Sequence, residues 1–231
     1  MTYRLGIIAA LPGELKSLVR GWSLQPDGAF LMQRGDAAVI AVAKGMGLAR
    51  AERSVTIAET YGRLDALVSI GWAGGASCGV QPGTAYEIGE VIDAASGERY
   101  ATAQATSPVK LVTLDHVAGR DEKRHIAEAY RASLVDMEAV AVGRAACMRN
   151  IPFYCWKAVT DLASEDLPDF NVFLDKEKQL RIRQLAAYAL TRPRYMAPLL
   201  RMGKNSRSGA DALAHALRRW IDEGKYGNSN R

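Results

Sequence analysis

Three acidic residues, Glu14, Glu138 and Asp161, stand at or near the ends of strand-like runs in this chain of 231 residues. Carboxyl groups brought together can move protons and stabilise a developing positive charge. In open α/β sheets, ligands bind beyond the carboxyl ends of the strands, where loops converge. Two glycine-rich stretches occupy the same kind of place: Gly45-Met46-Gly47 after the third run, and Gly71-Trp72-Ala73-Gly74-Gly75 after the fourth. Glycine there permits close backbone approach and leaves amides free to hold a ligand. Each feature alone also has an ordinary structural reading. Glu14 and Glu138 suit the first turn of a helix, where the dipole favours acids. Asp161 suits a cap or turn, and the glycines suit tight turns.

The elements that must position these groups follow from hydrophobic patterning. Runs rich in Val, Ile and Ala alternate with helical patterns, the rhythm of a buried, largely parallel sheet. Strands are expected at 4–11, 29–33, 37–43, 64–70, 84–94, 110–114, 133–135 and 152–159. The second and third of these should form a hairpin turning at Gly35-Asp36. Helices are expected from Pro12 to about Trp22, from Gly47 to about Tyr61, from about Asp121, and over Asp136–Met148. Beyond Asp166 the pattern turns helical and basic, through Asp175–Leu190 and Ser206–Ile221, with Pro193 and Pro198 breaking the stretch between. Gly224–Arg231 reads as frayed. This sets a domain over residues 1–190 apart from a basic helical C-terminal extension over 191–231.

Composition narrows the function classes. Hydrophobic residues make up 48% and charged residues 24%, enough for a core in an ordinary soluble protein. No apolar run approaches the roughly 20 residues of a membrane span. The apolar stretch near the N-terminus runs into Pro12-Gly13-Glu14 without a cleavage region, so it reads as a buried strand, not a signal peptide. Cys78, Cys147 and Cys155 have no metal-type spacing, which fits reduced thiols in the cytoplasm. Dinucleotide, P-loop, nucleophile-elbow and metal-cluster motifs are all missing, so no cofactor or metal is expected. From Lys176 onward there are 13 Lys/Arg against 4 Asp/Glu, or +9; the preceding residues hold 17 against 21, or −4.

In order, the segments 6–14, 45–47, 71–75, Val135-Asp136-Met137-Glu138-Ala139 and Lys157-Ala158-Val159-Thr160-Asp161 resemble the purine nucleoside phosphorylase and nucleosidase superfamily. The likeness covers about residues 4–190 and is greatest to its methylthioadenosine/S-adenosylhomocysteine nucleosidase branch. It implies a three-layer α/β/α fold with a central mixed, largely parallel sheet, a small-molecule nucleoside substrate and a homo-oligomer. By resemblance, Asp161 is the acid that protonates the leaving purine at N7. Glu138 binds the ribose 2′- and 3′-hydroxyls with Met137 packing under the sugar, and Glu14 positions or deprotonates the attacking water. Trp72, Gly74, Val117 and Thr160 complete the implied substrate contacts. The chemistry suits acids: cleaving an N-glycosidic bond leaves an oxocarbenium-like sugar and an electron-rich base. Protonating that base assists departure by roughly 10²–10⁴-fold. An aspartate that does this near neutrality needs a buried or acidic setting.

The departures are informative. Phosphorylases place arginines where this chain has Pro12-Gly13 and Ser69-Ile70, so water is the expected nucleophile; Lys44 and Arg50 are the remaining candidates for a phosphate contact. Trp72 replaces a small residue, the stretch Val91–Pro108 is short, and the loop Thr113–Ala118, where His116 is a further candidate contact, lacks the usual aromatic. These traits, with the Thr-x-Asp-x-Val loop and Glu122-Lys123 soon after it, the Asp161…Asp166-Leu167-Pro168-Asp169-Phe170 segment and the basic C-terminus, are similar to the hopanoid-associated phosphorylase group. That likeness implies removal of adenine from adenosylhopane. Tyr195, Met196, Leu199, Leu200 and Trp220 among the arginines and lysines of the tail then become candidates for peripheral contact with an anionic membrane. A solvated helical face packed on the domain is the other reading. A methylthioadenosine, adenosylhomocysteine or futalosine hydrolase, and a phosphate-dependent phosphorylase, are alternatives within the class. Outside it stands a non-catalytic nucleoside- or nucleic-acid-binding module. The acidic body, without interleaved aromatics, speaks against nucleic acid.

Overall fold

The computed structural model describes residues 2–175 and 177–227. Two ten-residue strands, β5 (Ala66–Gly75) and β11 (Phe153–Leu162), lie side by side in parallel at the centre of the sheet. Both consist almost entirely of buried residues, as strands covered on two faces must be. The first half of β5 also pairs in parallel with β1 (Tyr3–Ala9), and β1 in turn pairs with β4 (Ala37–Ala43). β3 (Phe30–Arg34) forms the expected hairpin with β4, and β2 (Ser23–Leu24) closes that edge. The second half of β5 instead meets β10 (Leu134–Asp136) in antiparallel fashion. From there the sheet continues through β9 (Lys110–Thr113), β7 (Glu90–Asp93) and β8 (Arg99–Ala101). The sheet is therefore mixed: central β5 pairs in parallel with β1 and β11 and antiparallel with β10.

Helices cover both faces. α2 (Leu48–Glu59) and α4 (Ala139–Arg149) bury Ala51, Val55, Ala58, Val140 and Val142 against one side. α6 (Met196–Asp222) covers the other, inserting Leu213, Leu217, Trp220 and Ile221 among Ile7, Val68, Tyr154 and Trp156. α3 (Arg120–Tyr130) packs Ile126 against Val112 and Val135. This is the three-layer α/β/α arrangement with a C-terminal helix.

Several expected boundaries shift, each for a local reason. The first helix, α1, is a single turn, Pro12–Leu15. The Glu14 side chain folds back on the turn that precedes it, and turns lead from there to Gly21 at φ +82. The stretch 84–94 is two strands, β6 (Ala85–Glu87) and β7, with different partners. They separate at Gly89, where an added Cβ would lie 2.2 Å from the Ser107 carbonyl oxygen. That strand break and β8 were not evident from periodicity. Residues 175–181 are irregular, Lys176 lying outside the described residues, and α5 begins only at Ile182 and runs to Leu190. Pro198 does not break a helix; it sits in the first turn of α6, where a missing N–H is harmless. The chain end is not loose as far as it is described: Tyr226 is buried beside Tyr3 and Trp220. Residues 228–231 of the expected frayed end lie outside the described residues.

The aromatic groups assigned to a membrane face are partly corrected as well. Trp220 is packed edge-on against Tyr154 and Trp156, and Tyr195 is buried against Tyr188. Trp220 belongs to the core under the sheet. Met196 and Leu200 remain exposed.

Candidate active site

Glu14 follows β1 because Pro12 starts a turn there with its φ already helical. Its Oε2 accepts the N–H groups of Ala10 (2.8 Å) and Leu11 (2.9 Å), and its Oε1 accepts that of Trp72 on β5 (2.9 Å). The carboxyl thus joins two neighbouring strand ends. Burial raises its pKa above the ordinary range, while the three amides and Lys157 pull the other way.

Glu138 lies between β10 and α4. Its neighbour Asp136 caps α4 by accepting the Ala139 N–H at 2.9 Å, which leaves the Glu138 side chain free for the cavity. Glu138 Oε1 accepts the Gly47 N–H at 2.6 Å. Gly47 stands at φ +91, a conformation open to glycine but strained for other residues, and so it aims its amide at the acid. Beneath them Lys157 and Asp136 form a fully buried ion pair at 2.8 Å, with the Thr113 hydroxyl donating to Asp136 at 2.6 Å. Burial opposes the charge on Lys157, yet Asp136 and the other acids around it hold its pKa above the usual lysine range. Glu138 is pushed up to about 8, by burial first and then by the Asp136 charge; Lys157 counters and Glu14 adds to the rise.

Asp161 is placed by an irregularity. β11 slips by one residue against β5 between Val159 and Asp161, leaving Thr160 as the bulged residue. Such bulges re-aim side chains. Here the Thr160 hydroxyl donates to Asp161 Oδ1 at 2.7 Å, and the Thr160 carbonyl accepts from the Asn205 amide on α6 at 2.9 Å. The other oxygen, Oδ2, accepts from the ammonium of Lys123 on α3. Both side chains are nearly buried.

These groups share one cavity of about 380 Å³. Glu14, Trp72, Gly74, Val117, Met137, Glu138, Thr160 and Asp161 all line it. His116 lines it too, held between Asp115 (2.6 Å) and Glu122 (2.9 Å), and the Asp115 bond raises its pKa. Lys44 and Arg50 are not among its lining residues: Lys44 donates to the Asp27 carbonyl and Arg50 pairs with Glu177. Trp72 Nε1 donates to the Ser206 carbonyl at 3.0 Å and so anchors α6 beside the site. The rest of the wall combines an apolar part, from Met46, Leu167, Phe170, Leu174, Leu180 and Met202, with charged Arg120, Glu165, Asp166 and Asp169.

Sequence reasoning gave Lys123 and Lys157 no role at the site. Both had a signal. Lys123 falls on the stripe 123, 126, 127, 130, where an amphipathic helix places residues facing the core. Lys157 is the lone charge inside the run 153–159. A charge in such a place needs a partner.

Comparison with known proteins bears on the fold. A family model described as the phosphorylase superfamily matches residues 100–192. No curated protein matches in sequence. Among solved structures, the chain is similar to a 5′-methylthioadenosine nucleosidase of Arabidopsis thaliana, with a TM-score of 0.73 and 18% identity, covering 99% of this chain and 98% of that one. A futalosine hydrolase of Helicobacter pylori has a TM-score of 0.72 at 13% identity, covering 96% and 99%. A 5′-methylthioadenosine/S-adenosylhomocysteine nucleosidase of the same organism has 0.71 at 13%, also covering 96% and 99%. The fold is that of the nucleoside phosphorylases and nucleosidases.

Proposed function

We propose that this protein is a purine nucleosidase that hydrolyses the N-glycosidic bond of a 5′-substituted adenosine. The observation that carries the reading is the meeting of Glu14, Glu138 and Asp161, from three separate strand ends, in one cavity. Glu138, with the Gly47 amide fixing one oxygen, offers the ribose hydroxyls an acceptor and favours positive charge on the sugar. The Asp161 end of the cavity manages the proton on the departing base. Glu14 takes the place of a phosphate site: its carboxylate occupies the Ala10, Leu11 and Trp72 amides that would otherwise hold an anion. A negative group there repels phosphate and suits activation of water.

The apolar part of the wall supports a hydrophobic group on the ribose 5′ carbon, and adenosylhopane is the substrate we favour. Val172, Ile182, Leu190 and Leu200 are each more than 60% exposed. Exposed Arg181, Arg183, Arg192, Arg194, Arg201 and Lys204 lie among them in sequence. We therefore propose that this face, cytoplasmic and peripheral, touches anionic lipid; no helix among the described residues is long and apolar enough to cross a membrane. A methylthioadenosine, adenosylhomocysteine or futalosine hydrolase is the second reading, favoured if small 5′ groups suffice.

The test is release of free adenine from a series of adenosines with 5′ groups of increasing apolar size, with and without phosphate. Rates that rise with size and ignore phosphate support the reading; a strict phosphate requirement rejects hydrolysis. Co-sedimentation with vesicles of anionic phosphatidylglycerol tests the lipid face. Ile182→Glu with Leu200→Glu should lower binding, and unchanged binding would reject it. Substitution is the right tool, because removing the tail would take Leu213 and Leu217 out of the core.

A further inference from the structure

Asp161 is aimed by its backbone as much as by its own side chain, and part of that backbone is held from α6. The bulge takes Thr160 out of register with β5, and a bulged residue is left without its ladder partner. Thr160 is buried, so its carbonyl oxygen needs a donor from inside the protein. The Asn205 carboxamide supplies one, with Nδ2 at 2.9 Å, from a helix 45 residues further along the chain.

Around Asn205, α6 is shaped to come close to the strand ends. Met202, Asn205, Ser206, Gly209 and Leu213 are spaced three or four residues apart and share one face of the helix. Gly209 packs directly on β11: a Cβ there would stand 2.8 Å from the Cβ of Ala158, two residues before the bulge. Nearly one turn earlier, the Ser206 carbonyl accepts the Trp72 indole N–H at 3.0 Å, which ties the same face to β5. Met202 and Ser206 line the cavity, whereas Asn205 is not among its lining residues and acts from behind the acid.

The carbonyl that Asn205 holds belongs to the peptide unit joining Thr160 to Asp161. A peptide unit is planar, so fixing its oxygen also fixes the direction in which the Asp161 N–H and Cα leave it. The Thr160 hydroxyl then takes the carboxyl itself, donating to Asp161 Oδ1 at 2.7 Å. Contact between α6 and the sheet does not need this polar side chain, since Leu213, Leu217 and Gly209 already provide it. We infer that Asn205 is a positioning residue for Asp161: it locks the peptide plane that carries the acid, so that the C-terminal helix sets the acid's aim. The inference rests on the nucleosidase reading above, in which the Asp161 carboxyl gives a proton to N7 of the departing purine.

The test uses 5′-butylthioadenosine as substrate and its 7-deaza analogue as a ligand that reports binding alone, since it has no N7 to protonate. Asn205→Ala and Asn205→Leu both remove the donor, and the second keeps the volume. Each should slow adenine release in a single turnover by about 10-fold or more, because a small misplacement of a reacting group is enough to do so. Each should bind the 7-deaza analogue within about threefold of the unmodified protein, which also shows that the variants fold; turnover lost with binding kept marks an effect made only in the transition state. Near-normal release by Asn205→Leu overturns the inference, because side-chain volume and not the hydrogen bond would then be what matters. Binding lost in proportion to rate overturns it too, since a merely structural residue would give that result. Failure of the unmodified protein to release adenine from any 5′-substituted adenosine would instead defeat the nucleosidase reading itself.

Discussion

Glu138→Gln should separate what this site costs the fold from what it gives to function. The substitution keeps the side-chain shape and an oxygen for the Gly47 N–H. It removes a group whose ionisation is opposed by burial, by Asp136 and by Glu14. The folded-state pKa is about 8, against about 4.3 in an unfolded chain. Below the lower value the acid is neutral in both states, and the two proteins should share one pH dependence. Between the two values the folded wild type binds more protons than the unfolded, so its stability falls as pH rises, at up to about 1.4 kcal/mol per pH unit for this group. Above about pH 8 the loss is complete, at a few kcal/mol in total. Glu138→Gln escapes that loss. Its thermal midpoint should overtake that of the wild type by several degrees, at roughly 2–4 °C per kcal/mol for a chain of this size. Urea or thermal unfolding at pH 4, 6 and 8.5 measures it. Stability differences that stay constant across this range would refute the assignment of Glu138 as a buried, protonatable group. Above about pH 8, where Glu138 is ionised, the same variant should lose kcat/KM by about 10²-fold, because an anion facing the developing positive sugar is gone.

Asp161→Asn should bind nucleoside normally but turn it over at least about 10²-fold more slowly, since an amide cannot give a proton to the leaving base; equilibrium binding and single-turnover rates check it. Gly74→Ala should push Lys123 off Asp161, because the new methyl would stand 2.8 Å from Cε and Nζ and 3.2 Å from Val135 Cγ2. It should lower purine release, and an unchanged rate would mean that the contact between Lys123 and Asp161 is not needed. Lys157→Met leaves Asp136 buried without its partner, which should cost about 3–5 kcal/mol in urea unfolding. Adding Asp136→Asn should recover part of that; full stability in the single variant would mean that the pair is not needed.

Much of the layered fold was legible because buried parallel strands and amphipathic helices have different apolar periods. β1, β4, β5 and β11 are largely runs of apolar and small residues, and Pro12 and Gly47 mark helix starts. Less legible were features decided by partners distant in sequence. The break at Gly89 exists because the Ser107 backbone passes there, and the bulge at Thr160 is a matter of register against β5. α6 reads as a basic, amphipathic tail, yet its apolar stripe completes one face of the sheet. Its charges marked the exposed side, while its destination depended on the surface left open by Tyr154 and Trp156. At the site, the acids stood out through their motifs, but Lys123 and Lys157 did not. Their meaning lies in the carboxylates they meet, 38 and 21 residues away along the chain.

The most direct test of the account is hydrolysis of a 5′-substituted adenosine in ¹⁸O-labelled water, with the base and the sugar product analysed by mass. The account predicts free adenine and a ribose with one ¹⁸O at C1′, formed at the same rate with or without phosphate. Recovery of intact nucleoside, or of a ribose 1-phosphate without label at C1′, would contradict it.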